Sequence, residues 1–260
     1  MRPIALLTDF GLADHYVGVL HAVLEREAPG AARIDLGHDV PPGDIWAASF
    51  MLRCAWPHLP DDCVVMAVVD PVVGSSRRAL VVEAGGRSVV APDNGIAAAV
   101  GSAASAATLD WRVMGLAEPS ATFHGRDVFA PAAARLARGA QPTDLGPGIE
   151  PAVLAPCLLP EPEPTADGAE GTILHVDRFG NLITNVLAAD HAAAASAVVR
   201  GRAVPRVRTY AEGRPDEVVL LEGSAGCFEL AVNCGSAAEA TGLERGDRVT
   251  ITLAGKGAHR

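Results

Sequence analysis

A chain of 260 residues, 49% hydrophobic and 20% charged, is long enough for one large core or two modest ones. A formal charge of −10, with dispersed arginines and a single lysine at Lys256, excludes the clustered basic surface that nucleic acid demands. No apolar run reaches the roughly 20 residues that span a bilayer, and the short Ile4–Leu7 run gives way at once to Thr8-Asp9, so neither a membrane span nor a secretory signal is expected and the cytoplasm is the expected compartment.

In chain order, Ile4-Ala5-Leu6-Leu7 reads as a buried strand, turning at Thr8-Asp9-Phe10-Gly11. Asp14 is placed to cap a helix whose apolar face carries Val17, Leu20, Val23 and Leu24. Ile34-Asp35-Leu36 is a second strand, and Asp44 caps a helix through Ile45, Phe50 and Leu52. Cys63 to Val69 is a continuous apolar strand of the central parallel kind, ending in Asp70. Strands follow near Ala79–Val82 and Ser88–Val90, and a helix is expected from Asp127 to Ala137. The alternation predicts an α/β domain with a mostly parallel sheet over residues 1–155.

Prolines at 151, 156, 160, 162 and 164 make 156–170 an extended linker, since proline lacks the amide donor that regular elements need. Beyond it, Thr172–Val176, Val218–Leu221, Phe228–Val232 and Arg248–Leu253 read as strands between glycine turns, so 171–260 is a smaller, mainly β domain. The alanines at 192–195 are expected to be helical. The five scattered cysteines (Cys54, Cys63, Cys157, Cys227, Cys234) form no CxxC pair, which argues for free thiols rather than disulfides or a zinc knuckle.

Ligands of open α/β sheets bind beyond the carboxyl ends of strands, where Asp9 and Asp70 both fall. Asp9 either shapes its turn or accepts hydrogen bonds from a vicinal diol. The stretch Asp70-Pro71-Val72-Val73-Gly74-Ser75-Ser76-Arg77-Arg78 can return a guanidinium to its acid, as a surface pair or as part of a site. His124 stands just before a helix start. Arg126-Asp127 and Pro92-Asp93-Asn94-Gly95 suit local structure better than chemistry, as does the loop of His38, Pro41-Pro42 and Asp44. In the second domain, Asp177-Arg178-Phe179-Gly180-Asn181 with Thr184-Asn185 offers carboxamides that match the edge of adenine and an aromatic that can stack on it, or simply an Asn-stabilised turn.

Taken in order and spacing, these motifs resemble the SAM hydroxide adenosyltransferase family, relatives of the adenosyl-fluoride and adenosyl-chloride synthases. The resemblance runs from Leu6 to about Thr252. It implies an N-terminal α/β domain, a C-terminal β-barrel-like domain and a homotrimer whose active sites lie between neighbouring subunits. It implies hydrolysis of S-adenosyl-L-methionine (SAM) to adenosine and methionine, with SAM as substrate and neither cofactor nor metal.

The matching positions make Asp70, Arg77 and His124 the water-handling set, with the proton acceptor being Asp70 or His124. Asp9 would hold the ribose hydroxyls. Asp177 and Asn181 would contact the methionine part and adenine, and Ser224, Glu229 and Val232 would complete the pocket. Val72 stands where the family usually has glycine. The rival readings are a halide-using relative and a non-catalytic adenosine or SAM sensor.

Overall fold

The computed structural model describes residues 1–253. It divides into two units, the first spanning Met1–Leu158 and the second beginning at Leu159. The first contains β1 (Ile4–Thr8), α1 (Tyr16–Glu27), β2 (Arg33–Gly37), α2 (Ile45–Ala55), β3 (Val64–Val68), β4 (Ala79–Ala84), β5 (Arg87–Pro92), β6 (Ser105–Thr108), α3 (Ala130–Ala137) and β7 (Gly148–Ile149). Its seven strands form one sheet in the order β2-β1-β3-β5-β4-β6-β7.

Strand periodicity sorts the core into two layers. Ile4, Leu6, Val64, Met66 and Val68 face one side, against Leu20 and Leu24 of α1 and the alanines of α3. Ala5, Leu7, Val65, Ala67 and Val69 face the other, against Ala47, Ala48 and Leu52 of α2. Successive side chains of a strand point to opposite faces, so a strand covered on both sides must be apolar throughout. Each fully buried Leu or Ile contributes about 1.5–3 kcal/mol.

β1, β2, β3 and β5 are parallel. β4 folds back on β5 and pairs antiparallel with it and with β6, and β7 extends this antiparallel edge. The sheet therefore carries an antiparallel extension that the sequence pattern did not announce.

Several local expectations are corrected. Asp14 caps nothing: the residue before α1 is His15, and no side chain caps that end. Asp44 does cap α2, accepting from the Ala47 amide at 2.9 Å. Asp127 lies inside a π-turn (Gly125–Phe129) that leads into α3 rather than at its start. There it accepts from the Ser120 amide and pairs with Arg126.

The second unit contains β8 (Glu163–Thr165), β9 (Gly168–Val176), β10 (Leu182–Leu187), β11 (Ala194–Val199), β12 (Arg202–Pro205), β13 (Val218–Glu222), β14 (Cys227–Val232), α4 (Ala237–Thr241) and β15 (Arg248–Leu253). The antiparallel order is β12-β11-β15-β9-β10-β14-β13, with β8 on β9. A bridge between Arg206 and Leu220 joins the two ends, so the sheet nearly closes on itself as a barrel. The proline-rich stretch is not wholly extended linker, because β8 and the start of β9 lie within it. The alanine run opens β11 instead of a helix, since Ala194 and Ala197 are buried in the barrel core. Tertiary burial overrides helix propensity there.

Candidate active site

Thr8 of β1 stands beside Val68 of β3 in parallel register, so the residues just past the two strands, Asp9 and Asp70, emerge side by side. Asp70 is fixed from below: Asn94 donates its side-chain amide to the Val69 carbonyl at 2.9 Å, which gives the Asp93-Asn94 turn a structural role. The loop after Asp70 returns Arg77 to it. Gly74 makes that return possible, with φ +81° and a position where a Cβ would lie 2.4 Å from the Ala121 carbonyl oxygen. Val72 takes no positive φ, so a β-branched residue stands there without left-handed strain.

Arg77 Nε donates to Asp70 Oδ2 at 2.8 Å, and its Nη2 reaches the same oxygen. Nη2 also lies 3.0 Å from His124 Nδ1. The guanidinium sits 5.3 Å from the centroid of Phe129, a fully buried ring. Both charged side chains of the pair are nearly buried, Arg77 9% and Asp70 5% exposed. Asp70 Oδ1 is buried and has no hydrogen-bond partner among the described residues. A buried acceptor in that state is costly unless something donates to it.

Asp70 and His124 line a cavity of about 500 Å³ together with Asp9, Phe10, His15, Tyr16, Phe123 and Arg126; Arg77 is not part of that lining and meets the cavity through its contacts with Asp70 and His124. Phe10, Tyr16 and Phe123 meet edge to face at centroid distances of 5.3–6.1 Å. Asp9 Oδ2 accepts from the Gly43 amide at 2.8 Å. Burial, with help from the Asp70 charge, raises the Asp9 pKa above its ordinary value, against the lowering pull of that amide. Burial foremost, then the Arg77 cation, hold His124 below its usual 6.5. A guanidinium only donates, so His124 Nδ1 accepts, and the neutral ring carries its proton on Nε2.

The second unit has its own pocket, lined by Asp177, Phe179, Asn181, Tyr210, Ser224, Glu229 and Val232. Asp177 Oδ1 accepts from the amides of Phe179 and Asn181, each at 2.9 Å. Asp177 Oδ2 accepts from Asn181 Nδ2, also at 2.9 Å. Asp177 thus organises the turn that presents Phe179, which is 75% exposed. Asn185 is occupied elsewhere, accepting from Thr172 and donating to Pro160. Glu229 is 4% exposed and accepts from the Tyr210 hydroxyl; burial raises its pKa.

The first pocket thus gathers Asp9, Asp70 and His124, with Arg77 joined to the latter two from outside the lining, and the second gathers Asp177, Asn181, Ser224, Glu229 and Val232. Sequence reasoning missed Tyr16 and Tyr210. The available signal was scarcity: the chain has two tyrosines, and one lines each pocket.

Residues 4–146 match the family model for the SAM hydroxide adenosyltransferase N-terminal domain, and residues 171–250 match that for its C-terminal domain. A Thermus thermophilus protein named (R)-S-adenosyl-L-methionine hydrolase is 46% identical, covering 96% of this chain and all of that one. An Actinoplanes fluorinase is 24% identical over 96% of this chain and 97% of its own. A solved Thermotoga maritima structure, described as an uncharacterized conserved protein, superimposes with a TM-score of 0.88 at 32% identity, covering 96% of this chain and 99% of that one.

Proposed function

Since the chain belongs to the SAM hydroxide adenosyltransferase family and hydrolyses S-adenosyl-L-methionine to adenosine and L-methionine, we propose that Asp70, Arg77 and His124 prepare the attacking water. The observation that carries this assignment is the divided Asp70 carboxylate. One oxygen is held by Arg77 and the other is buried without a donor. A water in the cavity donates to Asp70 Oδ1 and delivers its proton there as it attacks. His124 Nδ1 is engaged by Arg77, so the imidazole orients the water through Nε2–H rather than taking its proton.

The sulfonium leaves as neutral methionine thioether, so no acid need protonate it. Catalysis then rests on holding water in line with the sulfur–C5′ bond in a dry cavity, which is worth roughly 7–11 kcal/mol. The Arg77 cation opposes the negative charge that develops on oxygen. Asp9 accepts from the ribose hydroxyls, and the aromatic edge of Phe10, Tyr16 and Phe123 excludes bulk water. The relative's printed name supports the R configuration at the substrate sulfur.

The second pocket receives adenine and the methionine part, with Phe179 and Tyr210 as stacking surfaces and Asn181, Ser224 and Glu229 as polar contacts. Exposed aromatics around a polar pocket mark a surface completed by another body. In the homotrimer we assign to this chain, that pocket faces the first-unit pocket of a neighbouring subunit.

A halide nucleophile fits less well, because it has no proton for Asp70 Oδ1 and is repelled by the carboxylate. Turnover in ¹⁸O-labelled water tests the assignment. The label is expected in the 5′-hydroxyl of adenosine. Unlabelled adenosine, or a 5′-haloadenosine formed when chloride or fluoride is added, would overturn it.

A further inference from the structure

Outside the pocket, His21 of α1, Asp35 of β2 and His38 just past β2 converge on one point. Asp35 Oδ1 lies 3.1 Å from His21 Nε2 and 3.2 Å from His38 Nε2. The three ligand atoms lie within 4.8 Å of one another. His38 is 4% exposed, and its Nε2 is buried with no hydrogen-bond partner among the described residues. Its contact with Asp35 has the separation of a hydrogen bond without the alignment.

On the other side of the ring, His38 Nδ1 meets Thr8 Oγ1 at 2.8 Å. Metal-binding imidazoles are held by such a partner on the second nitrogen. With Nδ1–H donating to the hydroxyl, Nε2 turns a lone pair toward a carboxylate oxygen, an arrangement that repels unless a cation lies between. Ligands about 2.0–2.1 Å from a divalent ion stand roughly 2.9–3.4 Å apart in octahedral or tetrahedral geometry. The two observed separations fall in that interval.

We infer that His21, Asp35 and His38 bind a divalent transition-metal ion. Two imidazoles and one carboxylate favour zinc, cobalt or nickel over magnesium or calcium. Asp35 and His21 side chains are 48% and 29% exposed, so water completes the outer coordination. The ion ties α1, which carries Tyr16, to the turn bearing Asp9. That turn already leans on His38, whose carbonyl accepts the Gly11 amide at 2.7 Å. The ion is a clamp beside the pocket and takes no part in the hydrolysis.

The test uses the full-length protein stripped with chelator and titrated with Co²⁺ alone, then with Zn²⁺. One equivalent of cobalt is expected, with visible bands of a protein-bound ion, and zinc is expected to raise the melting temperature. His21→Ala and Asp35→Asn alter side chains that are not fully buried; each is expected to weaken binding at least tenfold and to abolish the thermal shift. Failure of the wild type to bind stoichiometrically would show that the three side chains sit together without an ion and end the proposal. Undiminished binding in both variants would place the metal on other residues and equally end it.

Discussion

The Arg77 guanidinium stands 3.0 Å from His124 Nδ1, and because it can only donate, that nitrogen is an acceptor in the working state. Protonating it would remove the acceptor and set a second cation against the first. Burial and Arg77 both hold the His124 pKa below 6.5.

The acid limb of kcat/KM is therefore expected below pH 6.5, with activity rising as His124 deprotonates and level above. The stability sign follows: between the folded pKa and 6.5 the unfolded chain binds more protons, so this contribution to stability falls as pH drops through that window. A pH–rate profile with its acid inflection above 6.5 would refute the role given to His124.

Arg77→Ala is expected to lower kcat by on the order of 10²–10³-fold, the usual consequence of removing a group that opposes developing negative charge. Adenosine binding, measured by calorimetry, is expected to remain mostly intact. The change leaves Asp70 buried without its partner and costs about 3–5 kcal/mol of stability, read as a lowered melting temperature. Arg77→Lys keeps the charge but not the planar fork. It separates folding from catalysis by retaining stability while turnover still falls.

Asp70→Asn preserves shape and removes the carboxylate we propose as proton acceptor. A kcat loss of roughly 10²–10⁴-fold with little change in KM is expected from removing a general base. Single-turnover methionine release checks it; a larger effect on KM than on kcat would assign Asp70 to binding instead.

The elements around this carboxylate were legible because β1 and β3 are continuous apolar runs that end abruptly in acids. Asp44 was legible as a cap for the same local reason. The return of β4 onto β5 escaped notice, although Gly85-Gly86 supplies two successive positive φ values, +53° and +82°, which suit a two-residue hairpin turn. β6, Ser-Ala-Ala-Thr, is too small and polar to advertise burial. β11 hides behind alanines. Which carboxamide faces the pocket, Asn181 or Asn185, depends on barrel register, which no local pattern encodes. Tyr210 and Glu229 are separated by more than a turn of sequence and meet only through folding.

The Tyr210 hydroxyl donates to buried Glu229. Tyr210→Phe keeps the ring and leaves that carboxylate without its donor, so about 1–3 kcal/mol of stability is expected to be lost. The Glu229 pKa, already raised by burial, rises further. Tyr210→Ala removes the stacking surface too and is expected to raise KM for SAM more than Tyr210→Phe does. Equal KM values in the two variants would remove the ring from substrate binding.

Subunit mixing tests where a complete site forms. Asp70→Asn disables the first-unit pocket of one variant, and Asn181→Ala disables the second-unit pocket of the other. If each site joins the first unit of one subunit to the second unit of its neighbour, a mixed homotrimer contains sites built from two undamaged halves. Random exchange of equal amounts then restores roughly a quarter of wild-type activity, since each half is intact with even odds in a cyclic assembly. Unfolding the two variants together and refolding them gives this mixture, with each variant refolded alone as control and circular dichroism confirming structure. Sites confined to single chains would stay inactive in every mixture, because each chain carries one damaged half. Recovered methionine release therefore requires shared sites, and its absence in verified mixed trimers would eliminate them.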